Sequence, residues 1–548
     1  MVFARRSTTL LAAIIASCAM VLSLTACTSD NKTVVDGQTT VTSNSAGGVA
    51  VFTPSDGITL NQQTPLNKWA KLVPDLAKAL ADAGFKKGDI NHTTSDSLDK
   101  QSRAIQDFVV DHLSNNTTDD SGIAIAPDNM TLLVAPVVEA DASTRQYGDY
   151  VSQNLSTNDA TDGEATSDGE SSEDDSSKDD SSKDDSSNTE SDSTASDEQA
   201  QAVDRLVSSL KLAKESGMHV VLLGNSIEGY KPDAFVKFSD AQTIGKLQAE
   251  KMVSKLKLDK ASKDNPKYIE VLLPYTAMDE KGNANDSTFA QEAFRGIWQV
   301  LGSYYQKGVV ESPSGTLDGK STENDWQAVA YDAAKEGSTA KVLDKRLAKT
   351  DGQSTLTRID GIITMNDYIA SEVVKELDDL GYTGSAADIN PQITISGIVG
   401  NITGKKDLSR DAVPDPIKSP ENDNANDSSS SDDDADEDTS ASDKDRDSQW
   451  PLVTGYGAYV SNIPSIVNGK QWMTGMEDRQ TIATDIAQAC AKLNKDEALN
   501  SMPSIRNSEV GGVKKIPTIS EPLLAVSASN LKSALIDPGY ISLADAGL

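Results

Sequence analysis

Asn366 and Asp367 stand where the hydrophobic period of the chain changes from that of a strand to that of a helix. Ile362 and Ile363 make a short β-branched run after Gly361, which reads as a buried strand. Beyond them Ile369, Val373, Val374, Leu377 and Leu380 recur at helical spacing, and Gly381 ends the pattern. A strand therefore delivers a carboxamide and a carboxylate to a helix N-terminus. In an open parallel sheet this corner lies at the carboxyl edge, where ligands bind, and a carboxylate there can accept from two hydroxyls at once. Plain helix capping fits the same two residues, because Asn and Asp are favoured caps.

The elements that must position this corner alternate along the chain. Val49 to Phe52 reads as a strand, and residues 69–85 as a helix with Trp69, Leu72, Val73, Leu76, Leu80 and Ala83 on one stripe. A helix over 102–113, a strand over Ile123 to Pro127 and a helix over 130–139 follow. Next come a helix over 203–217 and a strand over 219–223 that ends at Gly224-Asn225-Ser226. Beyond these, a helix at 241–256, a strand at 268–273 and helices at 289–305 and 326–335 lead back to the Asp367 corner. This rhythm predicts an α/β protein with parallel sheets covered on both faces.

Two stretches do not fit it. Residues 155–199 carry 16 acidic and 2 basic side chains, and residues 420–448 carry 12 and 2, so together they hold 24 of the 34 net negative charges. Both lack the apolar surface that would offset the entropy of ordering them, and are predicted to be disordered acidic insertions. Their Asp-Ser pattern lacks the ligand spacing of an EF-hand, and such acidity disfavours a nucleic-acid partner. Without them and the N-terminal segments roughly 400 residues remain, enough for two lobes.

The N-terminus opens with basic residues up to Arg6, an apolar run from Leu10 to Leu24, and then Thr25-Ala26-Cys27. This is the layout of a secretory signal over 1–26, and Leu24-Thr25-Ala26-Cys27 resembles the bacterial lipoprotein box, with Cys27 as the lipidated mature N-terminus. Acyl chains on Cys27 would anchor the protein to the outer face of the cell membrane, each buried methylene adding roughly 0.8 kcal/mol. Residues 27–47 read as a flexible linker. Once Cys18 leaves with the signal and Cys27 carries lipid, Cys490 has no disulfide partner and reads as a small buried residue.

Enzymatic signatures are missing. The sequence has no phosphate-cradling Gly-rich loop, HExxH or GxSxG, and His92, His112 and His219 are scattered, so neither a catalytic residue, a metal site nor a cofactor is expected.

Several motifs, taken in order, resemble the type I periplasmic sugar-binding proteins of ABC transporters, most closely the xylose/ribose-binding branch. They are Lys68-Trp69-Ala70-Lys71, FSDAQTIGKLQA from Phe238, GIWQVL from Gly296, Leu317-Asp318-Gly319 with Glu323-Asn324, and the Asn366-Asp367 corner. Ile395-Ser396-Gly397, Gln471-Trp472-Met473-Thr474, Glu521-Pro522-Leu523-Leu524 and Ile536-Asp537-Pro538-Gly539 continue the series. The resemblance implies two doubly wound lobes joined by a three-strand hinge. On that template residues 48–235 with 398–510 form lobe 1, and residues 236–397 with 511–548 form lobe 2.

It also implies a small carbohydrate between the lobes, handed to permease subunits by a monomeric lipoprotein. The ligand-binding set it implies is Lys68, Trp69, Asn225, Asn285, Trp326 and Asp367. Trp69 suits stacking on a sugar face, although it also suits the first core position of its helix. Some positions depart from the family pattern. Lys68 replaces an Arg and so loses the two-pronged donor, Asn225-Ser226 stands where Asp-Arg is usual, and Ile398-Val399 where Gln-Asp is usual. Lys320 replaces an aromatic residue, for which Trp326 is a candidate substitute. These losses leave open an alternative, a non-transporting surface lipoprotein, sensor or interaction module, with a degenerate sugar site.

Overall fold

The structure is a computed structural model that describes residues 34–35, 38–39, 46–55, 65–115, 125–138, 146–151, 153–156, 189–278, 285–333, 335–348, 356–386 and 450–548. Cys27, residues 157–188, the 420–448 insertion, Ile395 to Gly397 and Ile398-Val399 lie outside the described residues. The chain divides into Met1–Asn44 and Ser45–Leu548. In the first unit Val34–Val35 pairs antiparallel with Gln38–Thr39; all other described elements belong to the second.

That second unit contains two large sheets. The first is built from β1 (Gly48–Pro54), β2 (Ile90–Ser95), β3 (Met130–Val134), β5 (His219–Leu223), β7 (Ala234–Lys237), β15 (Ile505–Val510) and β16 (Val513–Ser520). The second is built from β8 (Lys267–Val271), β10 (Val310–Glu311), β12 (Gly361–Ile363), β13 (Leu452–Tyr456), β14 (Met473–Met476) and β17 (Leu524–Ser527). Short pairs β4 (Asn154–Leu155) with β6 (Ser226–Ile227), and β9 (Leu273–Pro274) with β11 (Ala330–Tyr331), sit outside them.

In the first sheet the order runs β15-β16-β7-β5-β3-β1-β2, and in the second β10-β8-β12-β13-β14-β17. Only the edge strands β15 and β17 are antiparallel to their neighbours. Counting the parallel strands of each sheet in chain order, the first has the doubly wound order 2-1-3-4-5-6 and the second 2-1-3-4-5. Their switch points lie between β1 and β3 and between β8 and β12, and ligands bind beyond the strand ends at such points.

Helices cover both faces of each sheet. Trp69, Leu72 and Leu76 of α1 (Trp69–Asp82) and Ile482 and Ile486 of α9 (Arg479–Leu493) pack on one face of the first sheet. Ile105 and Val109 of α2 (Leu98–Asn115) with Leu206 and Leu210 of α3 (Thr189–Glu215) pack on the other. In the second sheet the two faces are covered by α4 (Ala241–Leu256) with α5 (Thr288–Gln306), and by α7 (Ser338–Arg346) with α8 (Asp367–Asp379). Because both faces are covered, β1 and β3 read as continuous apolar runs and are almost wholly buried. Helices α4 and α5 approach closely through glycine: a Cβ on Gly245 would lie 2.2 Å from the Ala293 carbonyl oxygen, and one on Gly296 2.0 Å from that of Gln242. The two sequence motifs around these glycines thus record a helix contact.

Several expectations need correction. Met130–Val134 is a strand, where a helix was expected; a five-residue run with four apolar side chains is too short to separate the two periods. Strand β2 was missed because its polar residues face solvent at a sheet edge. The helix expected over 326–335 is reduced to α6 (Trp326–Val329), after which the chain enters β11. Helix α3 runs Thr189–Glu215 and so starts ahead of the helix expected over 203–217.

The lobe boundaries shift as well. The chain passes between the sheets at 238–240, at 477–478 and at 521–523, since β13 and β14 pair in the second sheet and β16 in the first. The crossing expected near 398 followed the family template, whereas β12 and β13, which flank that position, pair in one sheet. Three crossings between two doubly wound lobes are nonetheless present.

Candidate functional site

The loops after β1, β3, β8 and β12 leave the two switch points and meet between the sheets. From β1 come Lys68 and Trp69, and from β12 come Asn366 and Asp367. From β3 comes the segment 146–151, which passes from one wall to the other.

On the wall of the first lobe, Trp69 is 2% exposed. It meets the ring of Tyr150 edge-on at 5.1 Å and that of Phe238 at 5.8 Å, while Tyr150 stacks on Phe238 at 4.8 Å. Lys68 Nζ pairs with Asp149 Oδ1 at 2.7 Å, and the Trp69 backbone N–H donates to Asp149 Oδ2 at 3.2 Å. The Tyr150 hydroxyl donates to the Lys68 carbonyl oxygen, and the Asp149 N–H to that of Asn67 at 2.8 Å. Asn225 Nδ2 donates to the Pro136 carbonyl oxygen at 2.9 Å, and its Oδ1 accepts from the Gln153 N–H at 3.0 Å. Lys68, Trp69 and Asn225 are thus brought to one wall, and all three engage the chain that follows β3.

On the second wall, Tyr147 packs on Phe289 at 4.6 Å and lies 6.4 Å from the ring of Tyr456. The Tyr459 hydroxyl donates to the Gln146 carbonyl oxygen at 2.7 Å, and Asn366 Nδ2 donates to Gln146 Oε1 at 3.1 Å. Asn366 is also the cap of α8, its Oδ1 accepting from the Ile369 N–H at 2.9 Å.

Asp367 has no exposed surface. Its Oδ2 accepts from the Tyr459 N–H at 2.9 Å and from Thr474 Oγ1 at 2.8 Å, and its Oδ1 from Gln471 Nε2 at 2.7 Å. Burial raises its pKa to about 6, against the pull of these donors. Of the two roles open for this corner, Asn366 takes the cap, and the Asp367 carboxylate is turned inward to tie α8 to the loops around β13 and β14.

No family model matches the chain, and no curated protein matches it. Solved structures do. An ABC-transporter solute-binding protein from Clostridium phytofermentans with bound β-D-glucose is 16% identical, over 91% of this chain and 99% of that chain, with a TM-score of 0.43. A carbohydrate-transporter solute-binding protein from Chloroflexus aurantiacus in complex with D-glucose is 18% identical, over 92% and 98%, with a TM-score of 0.42. A periplasmic ribose ABC transporter protein from Conexibacter woesei is 13% identical, over 90% and 96%, with a TM-score of 0.41. Two doubly wound sheets, of orders 2-1-3-4-5-6 and 2-1-3-4-5, joined by three crossings are the type I periplasmic-binding-protein fold.

The hinge of this binding-protein fold holds a polar cluster that the sequence expectation missed. Glu477, at the second crossing, is 1% exposed and accepts from the Ser239 N–H at 2.6 Å and from the Tyr456 hydroxyl at 3.4 Å. The Ser239 and Tyr456 hydroxyls bond to each other, and the Glu477 N–H donates to Asn67 Oδ1 at 3.3 Å. Burial raises the Glu477 pKa to about 7, with Asp240 adding to the rise. One cluster therefore joins the first two crossings, the wall strand β13 and the loop after β1. A lone Glu between Met476 and Asp478 carries no motif, so only the topology reveals it.

Asn285 and Trp326 sit together beside Tyr275, in the segments that follow β8 and β10. The Tyr275 hydroxyl donates to the Asn285 carbonyl oxygen at 3.1 Å, Asn285 Nδ2 donates to the Thr276 carbonyl oxygen at 2.8 Å, and Trp326 meets Tyr275 edge-on at 5.1 Å. Trp326, Tyr275, Thr276 and Asp332 line an open cavity of about 360 Å³. The six expected residues thus divide into a wall group, the Asp367 corner and the pair around Tyr275. Among the described residues no group of His, Cys, Asp and Glu is placed to hold a metal, and no helix is long and apolar enough to cross a membrane.

Proposed function

We propose that this chain is an extracytoplasmic solute-binding lipoprotein of an ABC transporter, anchored through Cys27, that takes a small carbohydrate between its lobes and presents it to permease subunits. What carries this reading is that aromatic rings from both lobes, Trp69 and Phe238 on one side and Phe289 and Tyr456 on the other, converge on the segment that follows β3, beside the switch points. Rings of that kind suit the C–H faces of a sugar, and Lys68, Asn225 and Asn366 supply charged and amide groups for its hydroxyls. Binding across two lobes and hinge closure are the chemistry of a carrier, and the arrangement sets out no nucleophile with a base. Titration of residues 28–548 with D-glucose, D-ribose and D-xylose by calorimetry and thermal shift tests it. Saturable heat with a rise in melting temperature for one of them is expected.

One observation favours a second reading, a surface lipoprotein that keeps the fold without transport: the crevice already contains Tyr147 and Tyr150, each 1% exposed. Absence of binding by every monosaccharide, both in the parent chain and after those two rings are removed, would establish it over the first.

A further inference from the structure

The crevice between the lobes is lined on both sides by groups that hold the same short piece of chain. Gln146 and Tyr147 belong to the second wall through Tyr459, Asn366 and Phe289, and Asp149 and Tyr150 to the first through Asn67, Lys68, Trp69 and Phe238. Gly148 turns the chain between them at φ +100°, with its ideal Cβ position 2.6 Å from the Asn67 Cβ, so only glycine fits this turn against the wall. Two rings, one charge and one amide thereby occupy the place and the kinds of contact that a sugar would use.

We propose that Gln146 to Tyr150 is a built-in ligand of the crevice, which closes the two lobes in the absence of solute and with which any carbohydrate must compete. Closure of a binding-protein fold normally comes from solute bridging the lobes; here the bridge is covalently part of the chain. An intramolecular occupant acts at a high effective concentration. If the segment leaves the crevice in about 1% of molecules, the apparent affinity for a solute falls about 100-fold relative to an empty crevice. The closing role rests on the two-lobe architecture alone, whereas the competition rests on the carbohydrate reading above.

Spin labels at exposed Lys78 on α1 and Lys375 on α8, introduced as Lys78→Cys and Lys375→Cys, report the distance between the lobes by pulsed EPR. The sugar-free chain is expected to show one narrow, short distribution, and Tyr147→Ala with Tyr150→Ala to lengthen and broaden it. An open distribution in the sugar-free parent, or an unchanged one in the double variant, overturns the proposal. Should the double variant fail to fold, hydrogen exchange in the parent decides: the Asp149 amide, bonded to Asn67, is expected to be protected, and exchange at the rate of an unstructured chain overturns the proposal. D-glucose, D-ribose and D-xylose are then titrated onto the double variant. Tighter binding by at least tenfold than in the parent supports the competition, and equal binding overturns it. If none of the three binds an opened double variant, the carbohydrate reading fails while the closing role of the segment stands.

Discussion

Lys68 Nζ and Asp149 Oδ1 meet at 2.7 Å with only 15% and 20% of their side chains exposed, so the first residue of the sugar-binding resemblance is paired with the chain's own carboxylate. A Lys in place of Arg gives one point of attachment and no fork. Asp149 keeps the Trp69 N–H as a second donor.

Lys68→Ala should therefore loosen the segment without unfolding the lobe. Hydrogen bonds to charged groups are worth about 1.5–3 kcal/mol, and partial exposure places this one at the lower end or below. Urea titration should show a loss of about 1 kcal/mol, with faster hydrogen exchange at the Asp149 amide. Unchanged exchange there would mean that the pair does not fasten the segment.

Asp367→Asn is expected to cost stability. The carboxylate accepts from the Tyr459 N–H, Thr474 Oγ1 and Gln471 Nε2, and an amide must turn its NH2 toward at least one of these donors. Reversal of Gln471 brings no relief, because Gln471 Oε1 already accepts from Asn462 Nδ2 at 2.8 Å. A loss of about 1–3 kcal/mol follows from one buried donor left unsatisfied, read as a lower urea midpoint. Gly455→Ala should act on the same cage, since its Cβ would lie 2.1 Å from Asp367 Oδ1 and 2.7 Å from Gln471 Nε2. A midpoint equal to the parent's in both variants would show that the cage is not a stabilising unit.

Cys27→Ser should move the protein from the membrane fraction to the soluble fraction. The expectation rests on Leu24-Thr25-Ala26-Cys27, and among the described residues no helix can substitute for a lipid anchor. Fractionation of cells expressing the two forms checks it, and retention of the Ser form in membranes would refute the lipoprotein reading.

Period and punctuation were sufficient for part of the fold. The helix stripe from Trp69 and the strand-to-helix change at Asn366 were legible because apolar spacing differs there from every alternative. Met130–Val134 was not, since so short and mostly apolar a run is compatible with either period, and Ile90–Ser95 was not, since an edge strand need not be apolar. The family resemblance singled out Trp69, Lys68 and Asn225, which the structure sets on one wall, yet spacing has no way to show what faces them. Tyr147-Gly148-Asp149-Tyr150 was legible only as residues bordering an acidic stretch. Its meaning depends on Phe238, Phe289 and Tyr456, which are far away in sequence and adjacent only after both sheets have formed.

Glu477 gives the hinge a pH dependence whose direction is fixed by burial. Its pKa rises from the usual 4.5 to about 7, chiefly by desolvation, with Asp240 adding to the rise and Ser239 and Tyr456 opposing it. Asp367 shifts the same way, from 3.8 to about 6. A carboxyl with a raised folded pKa binds its proton more tightly in the native state than in the unfolded state. Native molecules therefore hold more protons between the two pKa values, and stability falls as pH rises through that window. The contribution is fully present below the unfolded pKa and lost as pH passes about 7 for Glu477 and about 6 for Asp367. At 1.36 kcal/mol per pKa unit, the Glu477 share is on the order of 3 kcal/mol. Glu477→Gln keeps an acceptor for the Ser239 N–H and the Tyr456 hydroxyl and removes the charge. Urea midpoints measured between about pH 5 and about pH 8 should fall with rising pH in the parent and fall less steeply in Glu477→Gln. Equal slopes in the two proteins would show that Glu477 does not ionise within this range, and that the hinge cluster is indifferent to pH.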